Sequence, residues 1–231
     1  MSFASQFLNL EILAGAWPIL LLGAKSTLLF SLVGIPLAVV TGLVLALLSF
    51  SRSRTLFALQ RVWVDLFRAL PPLVLVVLLY SGLPFAGVEL TPFAAVTLTF
   101  ILNLGAYFCE VFRAGLSSVP RGQSEAARST GMTGPQTLVY VLLPQATRNV
   151  LPELISNVIE GVKLSTIGAV VAMPELLFQA RQAQNLTFNA TPIFAAAMIY
   201  FIALLPFVRL LSTLENSVSS GRGGKPLSAG H

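Results

Sequence analysis

Charged side chains are scarce in this chain: Asp, Glu, Lys and Arg together make up 10% of its 231 residues, whereas hydrophobic residues make up 55%. Soluble domains contain about 25% charged residues, because their surfaces need groups that water can solvate. The mean hydropathy is +0.84. These values exclude an ordinary soluble fold and predict that lipid surrounds most of the protein.

Several chemically active residue types are almost missing. A single cysteine, Cys109, excludes an internal disulfide, and its apolar surroundings predict that it packs as a small hydrophobe. The one histidine is His231 and the one aspartate is Asp65, so no metal site is expected. The phosphate-binding pattern Gly-x-x-x-x-Gly-Lys-Ser/Thr is also missing, so the chain is not expected to be an enzyme that hydrolyses ATP.

Long apolar runs dominate what is present. A helix needs about 20 apolar residues to cross a bilayer, and five stretches qualify. They are residues 19–48, 62–80, 93–112, 151–171 and 193–211. The sequence therefore predicts an all-α integral membrane domain over residues 1–216, with about five transmembrane helices. Residues 174–189 are expected to form a short helix with Pro174 in its first turn, and the Gly- and Ser-rich tail, 217–231, is predicted to be disordered.

The distribution of basic residues predicts the orientation of these spans. Basic residues after spans one and three and in the tail are Arg52, Arg54, Arg61, Arg113, Arg121, Arg128, Arg148, Arg222 and Lys225. The opposite connections carry only Glu89 and the offset pair Glu175 and Arg181. Basic residues accumulate on the cytoplasmic side, which also explains the net charge of +5 without a nucleic-acid partner. The N-terminus is therefore expected outside and the C-terminus in the cytoplasm.

A polar island separates spans three and four. Its first part is expected to be a short helix that contains Glu125, Ala126, Ala127 and Arg128. Gly131 is placed to end that helix in the left-handed conformation. Thr133 and Gln136 have capping-box spacing around Pro135, expected as the first residue of a second helix, and Pro144 should end this helix. Physics alone leaves two interpretations open: a loop resting on lipid headgroups, or a peg that enters a groove of a soluble partner.

The spacing of this island resembles a known motif. Glu-Ala-Ala at 125–127, Gly131, and Val-x-Leu-Pro ending at Pro144 resemble the EAA loop of ATP-binding-cassette (ABC) importer permeases, with Val141 where isoleucine is usual. Residues 105–115 resemble the GAY-x-x-E-x-x-RG run of the polar amino-acid importer subfamily. Residues 67–72 stand where that subfamily has RGTPLL. The resemblance covers most of residues 20–215.

The resemblance implies a function and partners. Residues 125–131 would form a coupling helix that docks on an ATPase subunit, with polar contacts from Glu125 and a turn at Gly131. The chain would be a multi-pass permease of the bacterial inner membrane, moving an amino acid or similar solute by alternating access. Its partners would be a second permease subunit, identical or paralogous, two ABC ATPase subunits and an external substrate-binding protein. The chain itself would bind no cofactor, because ATP and Mg²⁺ belong to the ATPase.

Polar residues inside spans are expensive to insert and are therefore functional candidates. In span four these are Asn157, Glu160, Lys163, Ser165 and Thr166. Glu160 and Lys163 can form either a self-neutralising pair or part of a solute path. The subfamily has K-D-T-S-L here, whereas Leu164 replaces the aspartate in this chain.

In span three, Glu110 and Arg113 are spaced for a structural pair or a gate, and the structural pair is favoured. In span two, Arg68 is expected to reach toward the headgroups, and Pro71 with Pro72 should kink the helix. Two further function hypotheses remain open: an ATP-independent channel or secondary transporter, and an ABC permease for a solute other than an amino acid. The sequence does not identify the solute.

Overall fold

The computed structural model describes residues 3–51 and 53–222, with side chains described over 5–51 and 53–213. Within these ranges the regular structure is entirely helical, which confirms the predicted all-α class. The α-helices are Phe3–Phe7 (α1), Leu10–Leu48 (α2), Arg54–Ala69 (α3), Pro72–Val77 (α4), Pro92–Thr99 (α5), Gly105–Ser118 (α6), Arg121–Ser129 (α7), Gly134–Thr137 (α8), Leu143–Asn149 (α9), Leu151–Leu164 (α10), Leu176–Thr187 (α11) and Thr191–Arg222 (α12). Shorter π and 3-10 segments join several of them.

In the part of the chain that the structure describes, four helical stretches are long and apolar enough to cross a membrane. They are Ser5–Leu48, Pro92–Ser118, Leu151–Val171 and Thr191–Thr213. The second predicted span is not one continuous helix. Arg54–Ala69 and Pro72–Ala86 meet at an angle of 101°, and they complete a set of five spans only if the bent pair counts as one.

The last helix runs through residues 217–222, which belong to the segment predicted to be disordered. Residues 223–231 of that segment, including Lys225 and His231, lie outside the described part of the chain, as does Arg52. The prediction of a disordered tail therefore stays a prediction.

The long helix α2 is the central element of the core. Asn9 caps its first turn by accepting from the N–H groups of Glu11 and Ile12. Phe30 is fully buried and packs edge-on against Phe100, with ring centroids 4.8 Å apart. This core also holds Phe108 of α6. Because α2 contacts α6, α11 and α12, it holds the other elements in place.

A second apolar cluster joins α2, α11 and α12 through buried residues such as Leu20, Leu176 and Ala180. Pro174 precedes the cap residue Glu175 of α11, so its prediction as a first-turn residue is wrong. The 3-10 segment Ser165–Val171 leads into this turn, and Ala172 there adopts φ +55°.

Candidate functional site

The polar island forms the helix–corner–helix that the sequence predicts. Helix α7 ends in a Schellman motif: the N–H of Gly131 donates to the Arg128 oxygen at 3.0 Å, and the N–H of Met132 donates to the Ala127 oxygen at 3.3 Å. Gly131 has φ +88°, which confirms its left-handed cap conformation. Residues with a Cβ resist this conformation, so the corner depends on glycine.

The second helix of the island begins with the predicted capping box. The Gln136 N–H donates to the Thr133 hydroxyl, and the Gln136 side-chain oxygen accepts from the Thr133 N–H at 2.8 Å. Pro135 lies within its first two residues. The prediction that Pro144 ends this helix is wrong. A π segment, Leu138–Leu142, precedes the proline, and the chain continues as α9. The wider π turn changes the hydrogen-bond ladder where the proline lacks an N–H, so the helix can continue.

The island is firmly attached to span three. Asn149 donates to the Ser118 hydroxyl at 2.8 Å, and a Cβ at Gly115 would lie 2.9 Å from the Ala146 oxygen, so the backbones of α9 and α6 approach each other closely. Helix α7 packs on the π segment of the island. Its residues Glu125, Ala126 and Arg128 are exposed, whereas Ala127 is buried against the rest of the island. Helix α7 is therefore packed against the rest of the island on one side and exposes a polar face on the other.

Glu110 and Arg113 form the pair that their spacing predicts. The guanidinium Nε and Nη2 of Arg113 donate to the two carboxylate oxygens of Glu110, at 3.1 and 2.6 Å. The Arg68 guanidinium lies beside this pair: its Nη1 is 3.8 Å from the Glu110 Oε2, and its Cζ is 5.2 Å from the centre of the Tyr107 ring, a cation–π contact. The prediction that Arg68 reaches toward the headgroups stays a prediction.

A polar cavity of about 150 Å³ lies beside this cluster, between the end of α2, α3 and α6. Charged residues in its lining are Arg61, Asp65, Glu110 and Arg113. The Arg61 Nε lies 3.6 Å from the Asp65 Oδ2, so the charges of these two side chains offset each other. Among the described residues, no group of three or more His, Cys, Asp or Glu could hold a metal ion.

The polar residues of span four occupy another part of the molecule. Glu160 and Lys163 contact each other and remain half or more exposed. Ser165 is fully buried and donates to the Val162 oxygen at 2.7 Å, and Thr166 donates to the Lys163 oxygen at 2.8 Å. Both hydroxyls are therefore bound to their own helix. Asn157 is part-buried one turn before Glu160.

Several polar residues that the structure buries received no role from the sequence patterns, among them Asn103 and Glu175. Asn103, which is 2% exposed, contacts the bend of span two. Glu175 is fully buried; it accepts from the N–H groups of Leu177 and Phe178 at 2.9 and 2.6 Å and from the Tyr200 hydroxyl at 3.0 Å. Burial raises the pKa of the Glu175 carboxyl, with these hydrogen bonds opposing it. A polar residue beside apolar neighbours was the available signal, but the bend that Asn103 contacts and the Tyr200 hydroxyl that contacts Glu175 are distant in sequence.

Comparison with known proteins identifies the family of the chain. Residues 34–220 match the family described as binding-protein-dependent transport system inner membrane component. The probable amino-acid ABC transporter permease protein YckA of Bacillus subtilis (strain 168) is 33% identical over 194 residues, covering 84% of this chain and 86% of the relative. The L-cystine transport system permease protein TcyB of the same organism is 35% identical over 188 residues, covering 80% of each chain.

Solved structures share the fold. A chain in the crystal structure of an amino acid ABC transporter with histidines is 33% identical, with a TM-score of 0.81, and the match covers 91% of this chain and 99% of that one. A chain of the inward-facing MetNI methionine ABC transporter has a TM-score of 0.71 at 22% identity over 87% of this chain and 96% of that one, a likeness of fold alone. The chain is a multi-pass membrane protein and belongs to the family of inner-membrane components of binding-protein-dependent transport systems.

Proposed function

We propose that this chain is the permease subunit of an ATP-driven importer that moves an amino acid, or a similar small polar solute, by alternating access. The observation that carries the proposal is the exposed, rigidly mounted helix α7, whose Glu-Ala-Ala sequence and Gly131 corner match the coupling motif. Relatives named for glutamine, arginine and cystine transport support the amino-acid class. A permease for another solute remains the second candidate.

The orientation follows from charge. The connections expected in the cytoplasm carry most of the basic residues, so α7 faces the cytoplasm and the N-terminus lies outside. With the bent pair counted as one span, the odd number of spans supports a C-terminus in the cytoplasm, on the same side as α7. The family assignment favours an ABC importer over an ATP-independent channel or secondary transporter.

The partners follow from the family. A second permease subunit, identical or paralogous, would complete the pathway, two ABC ATPase subunits would bind ATP and Mg²⁺, and an external protein would deliver the solute. Movement of α7 would pass to spans three and four through the Asn149–Ser118 hydrogen bond and the close packing of Gly115 on Ala146. A bias of about 5.5 kcal/mol between inward and outward states would be sufficient to invert their populations.

Charge reversal in α7 tests the coupling role. We expect Glu125→Lys to leave insertion intact and to lower uptake of labelled glutamine, arginine or cystine at least about tenfold, equivalent to 1.4 kcal/mol of docking or coupling energy. The reason is that a lysine reverses the charge at this position and loses the polar contacts that Glu125 is proposed to make with the ATPase. Uptake and ATPase stimulation are measured in vesicles that contain the whole transporter. The control is Glu89→Lys, an equally exposed charge reversal in the connection expected outside; normal coupling in Glu125→Lys would refute the assignment.

A substitution in span four tests the solute path. We expect Glu160→Gln to preserve assembly and to lower solute uptake about tenfold, because a path residue loses a charge that faces the solute. The control is Glu153→Gln on the same helix. The charge swap Glu160→Lys with Lys163→Glu separates the two interpretations: a purely structural pair predicts full recovery of uptake, whereas a solute path predicts recovery of assembly alone. Unchanged assembly and uptake in Glu160→Gln would remove this residue from the path.

A further inference from the structure

The bend of span two leaves two backbone oxygens without their helical donors. In a continuous α-helix the N–H groups of residues 71 and 72 would donate to the carbonyl oxygens of Phe67 and Arg68. Pro71 and Pro72 have no N–H. Unsatisfied carbonyls are costly inside a membrane protein, where water is scarce. The structure must therefore supply donors from elsewhere.

Two side chains of span three supply them. The amide Nδ2 of Asn103 donates to the Phe67 oxygen at 2.6 Å and to the Leu70 oxygen at 3.1 Å. The Tyr107 hydroxyl donates to the Arg68 oxygen at 3.4 Å. Each missing proline donor thus has one replacement: Asn103 acts for residue 71 and Tyr107 acts for residue 72.

The replacement donors lie on one face of span three. Asn103 and Tyr107 are four residues apart, which aligns side chains along a helix. Asn103 lies in a π segment, Phe100–Leu104, and π turns change the direction in which side chains point. The Arg68 side chain lies over the Tyr107 ring and near Glu110, so the same residue contacts span three with both its backbone and its guanidinium.

The bend decides where the outer half of span two packs. Leu70 and Pro71 have extended ψ values of 128° and 129°, which turn the chain out of α3. After the turn, α4 packs against the 3-10 segment Ser165–Val171, and Val76 and Val171 share one core. That segment directly follows Lys163 and Leu164. The bend therefore positions span two against the end of span four that carries the proposed solute path.

We propose that Asn103 and Tyr107 are positioning residues: they replace the backbone donors missing at Pro71 and Pro72 and hold span two in the bent form that transport requires. The link to transport rests on the proposed function, whereas the replacement of donors does not. The two parts therefore have separate readouts.

The test starts with Asn103→Leu, which keeps side-chain size and removes the donor. The melting temperature of the full chain in lipid nanodiscs should fall by about 5 °C, because buried carbonyl oxygens lose their hydrogen-bond donor. Uptake of whichever of labelled glutamine, arginine and cystine the wild type accepts should fall about tenfold. Tyr107→Phe should have a smaller effect of the same kind, because its hydrogen bond is longer.

Restoring the backbone donors separates the two parts of the proposal. In Asn103→Leu combined with Pro71→Ala and Pro72→Ala, the backbone can form its own hydrogen bonds only by straightening. We expect most of the thermal stability to return while uptake stays low. The control combines Asn103→Leu with Pro36→Ala, which changes a proline inside α2 and should not restore stability specifically.

Each outcome decides something. If the triple variant is no more stable than Asn103→Leu, the donor replacement is wrong. If the triple variant regains both stability and uptake, the bent form is not needed for transport and the positioning role fails. If the wild type takes up none of the three amino acids, the proposed solute class fails, while the stability measurements still test the replacement of donors.

Discussion

Replacing Gly42 by valine should leave little folded protein in the membrane. A Cβ at this position would lie 2.4 Å from the Phe108 Cβ, 2.8 Å from the Cys109 nitrogen and 2.9 Å from the Gly105 oxygen. Two of these three atoms are backbone, so rotation of a side chain cannot relieve the overlap. Overpacking of a well-packed core costs about 1–3 kcal/mol and occasionally more, and this position belongs at the high end. Helices α2 and α6 would have to separate.

The same helix offers a matched control. Gly15 also lies in α2, but a Cβ there has no neighbour within 4 Å, so Gly15→Val should behave like the wild type. The measurement is the amount of monodisperse protein after detergent extraction, followed by the melting temperature in nanodiscs. Wild-type yield and stability for Gly42→Val would contradict the close contact between α2 and α6.

Local sequence patterns predicted the parts of the fold that local physics determines. The bounds of spans four and five follow from apolar composition to within about two residues, and the corner at Gly131 with the capping box at Thr133 follows from residues within six positions of each other. The Glu110–Arg113 pair also lies within one helical turn. In each case the residues that determine the structure are neighbours in sequence.

The failures concern contacts between distant segments. A kink at Pro71 and Pro72 was predictable, but its size depends on donors from Asn103 and Tyr107, more than thirty residues later. The continuation of the helix through Pro144 depends on a π segment that no composition rule reveals. The size of the bend requires knowledge of which spans pack together, and the sequence of one span does not contain that information.

The buried Glu175 shows how one residue can join several elements outside the regular spans. Its carboxylate caps α11 and accepts from Tyr200 of α12, while the N–H of the next residue, Leu176, donates to Thr27 of α2 at 3.0 Å. Three helices therefore meet at the adjacent residues Glu175 and Leu176. On the proposed topology this junction closes the outer end of the domain.

Replacing Glu175 by leucine should lower the stability of the chain by about 3 kcal/mol. Loss of a helix cap costs about 0.5–2 kcal/mol, and loss of the hydrogen bond that the Tyr200 hydroxyl donates to this buried carboxyl costs about 1–3 kcal/mol. For a chain of this size the expected fall in melting temperature is about 6–12 °C. The measurement is thermal unfolding of the full chain in nanodiscs.

Glu175→Gln is the matched control, because an amide oxygen can still accept from one backbone N–H and from Tyr200. It should lose much less stability than Glu175→Leu. This variant also removes the titratable group without changing the size of the side chain. Burial raises the pKa of the Glu175 carboxyl above its ordinary value of 4.5. The stability that the protonated carboxyl contributes is therefore complete below pH 4.5 and is lost as the pH rises through the raised pKa. The other charged or titratable groups acting on this carboxyl are Tyr200 and Arg181. The difference between the melting temperatures of the wild type and Glu175→Gln should therefore favour the wild type more near pH 4.5 than at neutral pH. If this difference instead favours the wild type more at neutral pH, the buried position stabilises the carboxylate and the expected pH dependence is wrong.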